Sequence, residues 1–334
     1  MSRVGAVVVH SIDGEIRVKF EDVLRPEAEP GTLRIRPSYV GICGSDLEQI
    51  RGHTDPSFHV SFPHILGHEW SGTVEQTGSR CSSFNVGDRV IGHGDLGGNV
   101  WFGVSTNGAM ADAFVVPESM CFAVPDEVSM LQAALIEPLA CSLQGLRSLG
   151  GADPGHRMVV IGCGALGLAM VGLTSAMGVR VVAVDRSIER LEIAEGLGAS
   201  MGTIAGDGAE VVIRDHFDGH GADIVVEASG APSAQAFAID VAGQDARVCF
   251  MGIGHQSAAG VALRQVQNRN LRLTSSTGAP PAIWGPAIRV ISQTSLDLST
   301  IVSDVFAFRD CELAITAAKD SAKHAKVMLR PDDR

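Results

Sequence analysis

One stretch constrains this chain more than any other. Residues 158–167 read Met-Val-Val-Ile-Gly-Cys-Gly-Ala-Leu-Gly. An apolar run that reads as a strand enters Gly-x-Gly-x-x-Gly and continues as a helical pattern over residues 165–177. Gly162 permits a tight turn, Gly164 lets the backbone approach a pyrophosphate, and Gly167 lets the helix pack closely on the strand. The helix start at Ala165 and Leu166 offers free N–H groups to phosphate charge. A glycine triplet also occurs as a plain turn in unrelated α/β folds, so its surroundings decide. A second apolar strand, 179–184, ends at Asp185, eighteen residues after Gly167. That is close to the roughly 20 expected for the acid that binds the adenosine ribose. A carboxylate there accepts hydrogen bonds from ribose hydroxyls and repels a 2′-phosphate, so the expected dinucleotide is NAD rather than NADP. The neighbouring Arg186 pulls the other way, since a guanidinium would meet that phosphate.

The rest of this half repeats the theme. Strand-like segments at 158–161, 179–184, 223–227 and 247–251 alternate with helix-like segments at 165–177, 188–197, 211–217 and 233–241. Such alternation builds a doubly wound parallel sheet. Ile224, Val225 and Val226 form a wholly apolar strand, as expected when helices cover both faces. The first 150 residues differ. Short runs at 4–9, 33–35, 90–91 and 113–116 are separated by Gly and Pro, the texture of a barrel-like or sandwich-like β domain. Residues 129–149 carry apolar residues at helical spacing, interrupted by Pro138, and 150–155 form a glycine-rich link. Near the end, 311–319 reads as helix and 325–329 as strand. At 334 residues the chain has room for two domains. The expected division is 1–150 and 151–284, with 285–334 apart.

Charge and cysteine usage exclude several classes. The net charge is −12, from 26 basic and 38 acidic side chains. Such a surface repels phosphate backbones and anionic lipid, so neither nucleic acid nor membrane is an expected partner. No secretory leader and no apolar run of about 20 residues is visible, and a cytoplasmic location is expected. The seven cysteines, at 43, 81, 121, 141, 163, 249 and 311, are odd in number and form no Cys-x-x-Cys pair. This speaks against a disulfide framework and against a four-cysteine zinc knuckle.

Two further segments carry chemistry: Gly41-Ile-Cys-Gly-Ser-Asp46 and Gly67-His-Glu69. Thiolate and imidazole are ligands that zinc prefers, and a catalytic zinc takes three protein ligands and keeps one open position. Cys43 and His68 supply two, and the third is Glu69 or Glu137. Zinc as a Lewis acid makes a bound hydroxyl acidic, which hydride removal requires. Ser45, two residues after the cysteine, is placed to start proton removal, and Asp46 to orient His68 through its second ring nitrogen. Taken singly, a cysteine is more often simply buried, a histidine simply hydrogen-bonded, and Glu137 a helix cap. Spacing alone does not join them.

Together, Gly-Ile-Cys-Gly-Ser-Asp, Gly-His-Glu, Gly-Asp-Arg-Val, Glu-Pro-Leu-Ala and the later Gly-x-Gly-x-x-Gly resemble the zinc-dependent medium-chain alcohol and polyol dehydrogenases. The closer likeness is to the sorbitol, glucose and threonine dehydrogenase branch. The resemblance covers nearly the whole chain. It implies a GroES-like catalytic domain, a Rossmann coenzyme domain with the active site in the cleft between them, and a carboxy-terminal segment that rejoins the catalytic domain. It implies Cys43 and His68 as zinc ligands, with Glu69 and Glu137 as exchanging or water-bridged carboxylates. Ser45 becomes the relay hydroxyl, and Arg190 the basic residue at the adenosine ribose. The implied reaction oxidises a secondary hydroxyl of a polyol, sugar or (amino)cyclitol, in a homo-dimer or homo-tetramer. The competing readings are a zinc-free quinone or alkene reductase of the same fold and a non-enzymatic NAD-binding protein.

Two departures from the family pattern matter. Residues 91–108, where many relatives carry a four-cysteine lobe, contain no cysteine, so one catalytic zinc and no structural zinc is expected. Glu48 stands where the family often has a histidine, three residues after the relay serine. The relay then runs through Glu48 or another group, or ends at Ser45 with water. His53, His59, His64 and His93 read as surface or structural residues, and Arg89 as an ion partner within the domain. Trp70, Trp101, Phe102 and Trp284 are either cleft residues or core filler.

Overall fold

Residues 3–24 fold into a long hairpin, because β1 (Arg3–Ile12) buries six consecutive residues and β2 (Glu15–Leu24) alternates half-buried with exposed. Asp13 and Gly14 form its turn, both at positive φ (54° and 82°), which suits the twist of a two-residue hairpin. The sequence reading passed over β2, although its alternation of charged and apolar residues is the period of a half-buried strand. This computed structural model describes residues 2–53, 60–254 and 262–332. After the hairpin come β3 (Thr32–Gly41), the short helix α1 (Gly44–Ile50), β4 (His64–Ile65), β5 (Glu69–Thr77), β6 (Arg89–Gly92), β7 (Phe114–Pro117) and β8 (Cys121–Ala123). β4 pairs with β1, completing a three-stranded sheet.

Two helices follow, α2 (Met130–Ala134) and α3 (Ile136–Ser148). The break in this helical region falls at Leu135 rather than at Pro138. Pro138 is the third residue of α3, in the first turn, where a missing N–H costs no intrahelical bond. The next stretch is β9 (Arg157–Ile161), α4 (Ala165–Ala176), β10 (Arg180–Asp185), α5 (Ile188–Gly196), β11 (Met201–Ile204), α6 (Ala209–His216) and β12 (Ala222–Glu227). It continues with α7 (Pro232–Val241), β13 (Ala242–Phe250), α8 (Leu263–Asn268) and β14 (Arg272–Ser275). These strands form one parallel sheet in the order β11-β10-β9-β12-β13-β14. The chain winds one way from β9 to β11 and the other way from β12 to β14. The switch point between β9 and β12 is where open α/β sheets receive ligands.

The chain then forms α9 (Pro281–Gln293), β15 (Val302–Ala307), α10 (Cys311–Lys319) and β16 (Lys326–Arg330). β15 and β16 extend a third sheet, ordered β15-β16-β3-β5-β6-β8, with β7 also on β3. In its register Gly41 lies opposite Met328 on one side and Glu69 on the other.

Two compact units result. One comprises Met1–Glu137, Pro280–Ser292 and Val302–Arg334; the other comprises Pro138–Ala279 and Gln293–Ile301. The first has a core around Leu33, Ile35, Trp70, Phe114, Met120 and Phe308, and the second around Val159, Val182, Val225, Ile239 and Val248. The second unit begins within α3, upstream of the glycine-rich 150–155 link. The Ser142 hydroxyl donates to Leu166 O at 2.9 Å, and a Cβ on Gly145 would lie 2.4 Å from the sulfur of Met251. Among the described residues no helix is long and apolar enough to cross a membrane.

Candidate metal centre and dinucleotide loop

Where β3 ends, Cys43 takes an extended conformation (φ −92°, ψ 159°) and caps α1. Its N–H donates to Asp46 Oδ2 at 2.8 Å, which turns the chain sharply out of the sheet. Gly67 does the equivalent before β5. Its φ is +101°, and a Cβ there would lie 2.8 Å from side-chain atoms of both Met110 and Val40. Only glycine fits, and the turn delivers His68 and Glu69 together. One ligand atom from each of Cys43, His68 and Glu69 falls within 4.8 Å of the others, the one such group among the described residues. A thiolate, an imidazole and a carboxylate match the three ligands that a catalytic zinc takes from a protein.

The surroundings orient the imidazole. Its Nε2 edge is 3.5 Å from the Ser45 hydroxyl, and its Nδ1 edge is 3.6 Å from Asp46 Oδ1. The second distance is an ion contact rather than a hydrogen bond. Burial raises the pKa of Asp46, with His68 opposing. For His68, burial lowers the proton affinity, but Asp46, Cys43 and Glu137 outweigh it and leave the pKa well above the usual value. Glu137 therefore acts electrostatically on the group without being one of its three members. Glu48 lies one helical turn beyond Ser45 on α1. Its carboxylate meets the Arg51 guanidinium and sits 3.2 Å from His53 Nδ1.

Lys326 is the residue that sequence reasoning missed. It opens β16, is 3% exposed, and pairs through Nζ with Glu69 Oε2 while donating to Ile42 O at 3.0 Å. Burial lowers its pKa, but Glu69, Cys43 and Glu137 more than offset this and raise it. Gly41 makes room for the pair, since a Cβ there would lie 2.2 Å from Glu69 Oε2 and 2.8 Å from Lys326 Cε. The available signal was a lysine at the head of the apolar run Val327, Met328, Leu329.

The other candidates fall in ordinary places. Trp70 packs edge-on against Phe102 and Phe114 in the core. Trp284 stacks on Phe122 beside His93. Arg89 donates to the carbonyls of Pro125 and Asp126 and lies 4.0 Å from the Asp126 carboxylate. His64 is buried, and burial lowers its pKa to about 4. His59 lies outside the described residues.

In the other unit, the glycine-rich loop is tightly built. Gly162 has φ +93°, and a Cβ on Gly167 would lie 1.8 Å from Gly162 O. Gly164, which precedes α4, faces open space, so a ligand can reach its backbone and the amides of Ala165 and Leu166. Asp185 ends β10 and braces the loop. Its Oδ2 accepts Cys163 N at 2.6 Å, and its Oδ1 accepts Arg186 N and Ser187 N at 2.7 and 3.0 Å. The Arg186 side chain is exposed. Arg190 is half-buried on α5, where burial lowers its pKa and Asp185 opposes.

Residues 29–126 match the alcohol dehydrogenase GroES-like domain, and residues 165–293 match the zinc-binding dehydrogenase domain. A probable D-xylulose reductase A of Aspergillus fumigatus is 27% identical over 342 residues, covering 95% of this chain and 95% of its own. A sorbitol dehydrogenase of Halalkalibacterium halodurans is 27% identical over 332 residues, covering 92% and 95%. The crystal structure of 2R,3R-butanediol dehydrogenase from Bacillus subtilis aligns with a TM-score of 0.88 at 26% identity, covering 98% of this chain and 100% of that one. With both domains matched in order, and a thiolate, imidazole and carboxylate gathered in the first, the chain belongs to the zinc-dependent medium-chain alcohol and polyol dehydrogenases.

Proposed function

We propose that this chain oxidises a secondary hydroxyl of a polyol, sugar or (amino)cyclitol to a ketone, with NAD as the hydride acceptor. The observation that carries the reading is the convergence of Cys43, His68 and Glu69 within 4.8 Å, with the Ser45 hydroxyl 3.5 Å from His68. These residues would hold a single zinc, with Glu137 as a further carboxylate beside them, and the metal would supply Lewis acidity toward the substrate hydroxyl. The chain's own groups do the remaining work. Cys43 contributes the anionic donor, and Asp46 holds the His68 ring. Ser45 takes up the hydroxyl proton as it gives its own away, to water or to a further group such as Glu48, whose carboxylate lies 3.2 Å from Nδ1 of the 58% exposed His53. Asp185 and Arg190 hold the adenosine ribose, and the carboxylate of Asp185 favours NAD over NADP.

The substrate class is supported by relatives named for xylulose, sorbitol and butanediol. The reading includes a small-molecule substrate, a homo-dimer or homo-tetramer, and a cytoplasmic setting. A zinc-free quinone or alkene reductase has no use for a clustered thiolate, imidazole and carboxylate. The test is metal analysis with NAD reduction over a panel of polyols, sugars and cyclitols. One zinc per chain, and alcohol-dependent turnover lost on chelation and restored by zinc, is the expected result. Undiminished turnover in metal-stripped protein overturns it.

A further inference from the structure

The carboxyl ends of β9, β12 and β13 meet around a side chain that the chemistry above does not use. Glu227 closes β12 and is 0% exposed. Its Oε1 accepts three hydrogen bonds from the loop that follows: Ser229 N at 2.7 Å, Ser229 Oγ at 2.6 Å and Gly230 N at 2.9 Å. Its main-chain carbonyl accepts Met251 N at 2.7 Å and Gly252 N at 3.0 Å, just beyond β13. The next residue, Ala228, donates to Ile161 O at 2.8 Å, immediately before Gly162. Packing tightens the same junction. A Cβ on Gly162 would lie 2.8 Å from Ser229 Cβ, and one on Gly252 would lie 2.0 Å from Gly230 N.

Glu227 Oε2, by contrast, is buried with no hydrogen-bond partner. Burial raises the carboxyl pKa against the pull of its Ser229 and Gly230 bonds. A buried acid with one oxygen unsatisfied costs stability, and a packing role alone does not call for one. Such breaches of local economy concentrate where function needs a fixed shape. The position fits, because β9 and β12 flank the switch point of the sheet.

We infer that Glu227 is a positioning residue for the dinucleotide. It clamps the Ser229–Gly230 turn against Gly162 and the end of β13, so that the crevice is already shaped when the cofactor arrives. The inference rests on the dinucleotide-binding reading of this unit.

The test uses the full zinc-loaded chain and NADH, followed by the fluorescence of the nicotinamide itself. E227A raises the NADH Kd about tenfold or more, and the KM for NAD with it, because three donors lose a charged acceptor. Zinc content and the KM for the alcohol stay at their wild-type values. E227Q keeps an amide oxygen for the same donors and recovers most of the affinity. Amide hydrogen exchange at 228–231 and 251–254 rises in E227A and not in E227Q. Wild-type NADH affinity in E227A overturns the inference, as does a loss that E227Q does not rescue. Should E227A fail to fold, S229A decides. It removes one of the three donors, and an unchanged Kd with unchanged loop exchange overturns the inference. If the wild-type chain itself binds no NADH, the dinucleotide reading has failed instead, and the two failures are distinct.

Discussion

Replacing Lys326 by methionine probes the metal centre through its charge. Methionine keeps the apolar stem and removes the ammonium. In metal-free protein, Glu69 then holds a buried carboxylate without a counter-charge, and Ile42 O loses its 3.0 Å donor. Removing one partner of a buried ion pair costs about 3–5 kcal/mol. A folding unit of roughly 150–250 residues shifts its Tm by about 2–4 °C per kcal/mol, so the first unit's transition drops by roughly 6–20 °C. Zinc reverses part of this. A divalent cation beside Glu69 supplies the charge that Lys326 no longer provides, and it no longer faces the ammonium. Zinc loading should therefore stabilise K326M more than wild type by on the order of 1–2 kcal/mol, equivalent to about tenfold tighter binding. Scanning calorimetry on stripped and loaded forms measures the first effect, and competition with a chromogenic chelator the second. Equal destabilisation of both forms, or a loss under about 1 kcal/mol in the stripped form, refutes the electrostatic reasoning. G41A is an independent handle, because its Cβ would collide with both members of the pair.

E69Q and E137Q separate the two carboxylates. E69Q alters a member of the three-residue group and should lose most of its zinc on dialysis, while E137Q retains zinc and turns over more slowly, as metal analysis and kinetics will report. D185A removes the acceptor for three backbone amides at 2.6, 2.7 and 3.0 Å. It should raise the KM for NAD about 10–100-fold and narrow the preference over NADP, with an unchanged ratio counting against the assignment. His64 sets part of the acid limb of stability. Its folded pKa of about 4 lies below the usual 6.5, so the unfolded chain binds the proton first as pH falls. Its contribution is intact above about pH 6.5 and is lost through the window down to about pH 4, by at most about 3 kcal/mol. Urea midpoints across that window should fall less steeply in H64N than in wild type.

The parts of the molecule legible in sequence were those set by short-range geometry. Gly162, Gly164, Gly167 and Asp185 stand out because the glycine turn, the helix start and the acid that ends the next strand all fall within one βαβ unit. The fully apolar strand around Ile224–Val226 is equally local in its logic. The candidate metal site is different in kind. Cys43 and His68 come from separate loops, and only the pairing of β3 with β5 sets Gly41 beside Glu69. Lys326 depends on a further pairing, β16 on β3, that nothing near residue 326 encodes. Pro138 misled the reading because a proline signals an interruption unless its place in the helix is known. Glu227 went unnoticed since an acid at the end of an apolar strand looks like a solvated terminus until its neighbours fold over it.

The route by which Lys326 reaches the metal centre has a consequence for biosynthesis. Ile42 and Lys326 are 284 positions apart, so the ribosome makes the thiol, imidazole and carboxylate long before the ammonium that balances them. A chain halted short of β16 would present an anionic trap with its counter-ion still unmade, and β3 would lack the neighbour that shuts it. In the finished chain a cation entering this cluster meets a resident positive charge, which a chain lacking β16 does not carry.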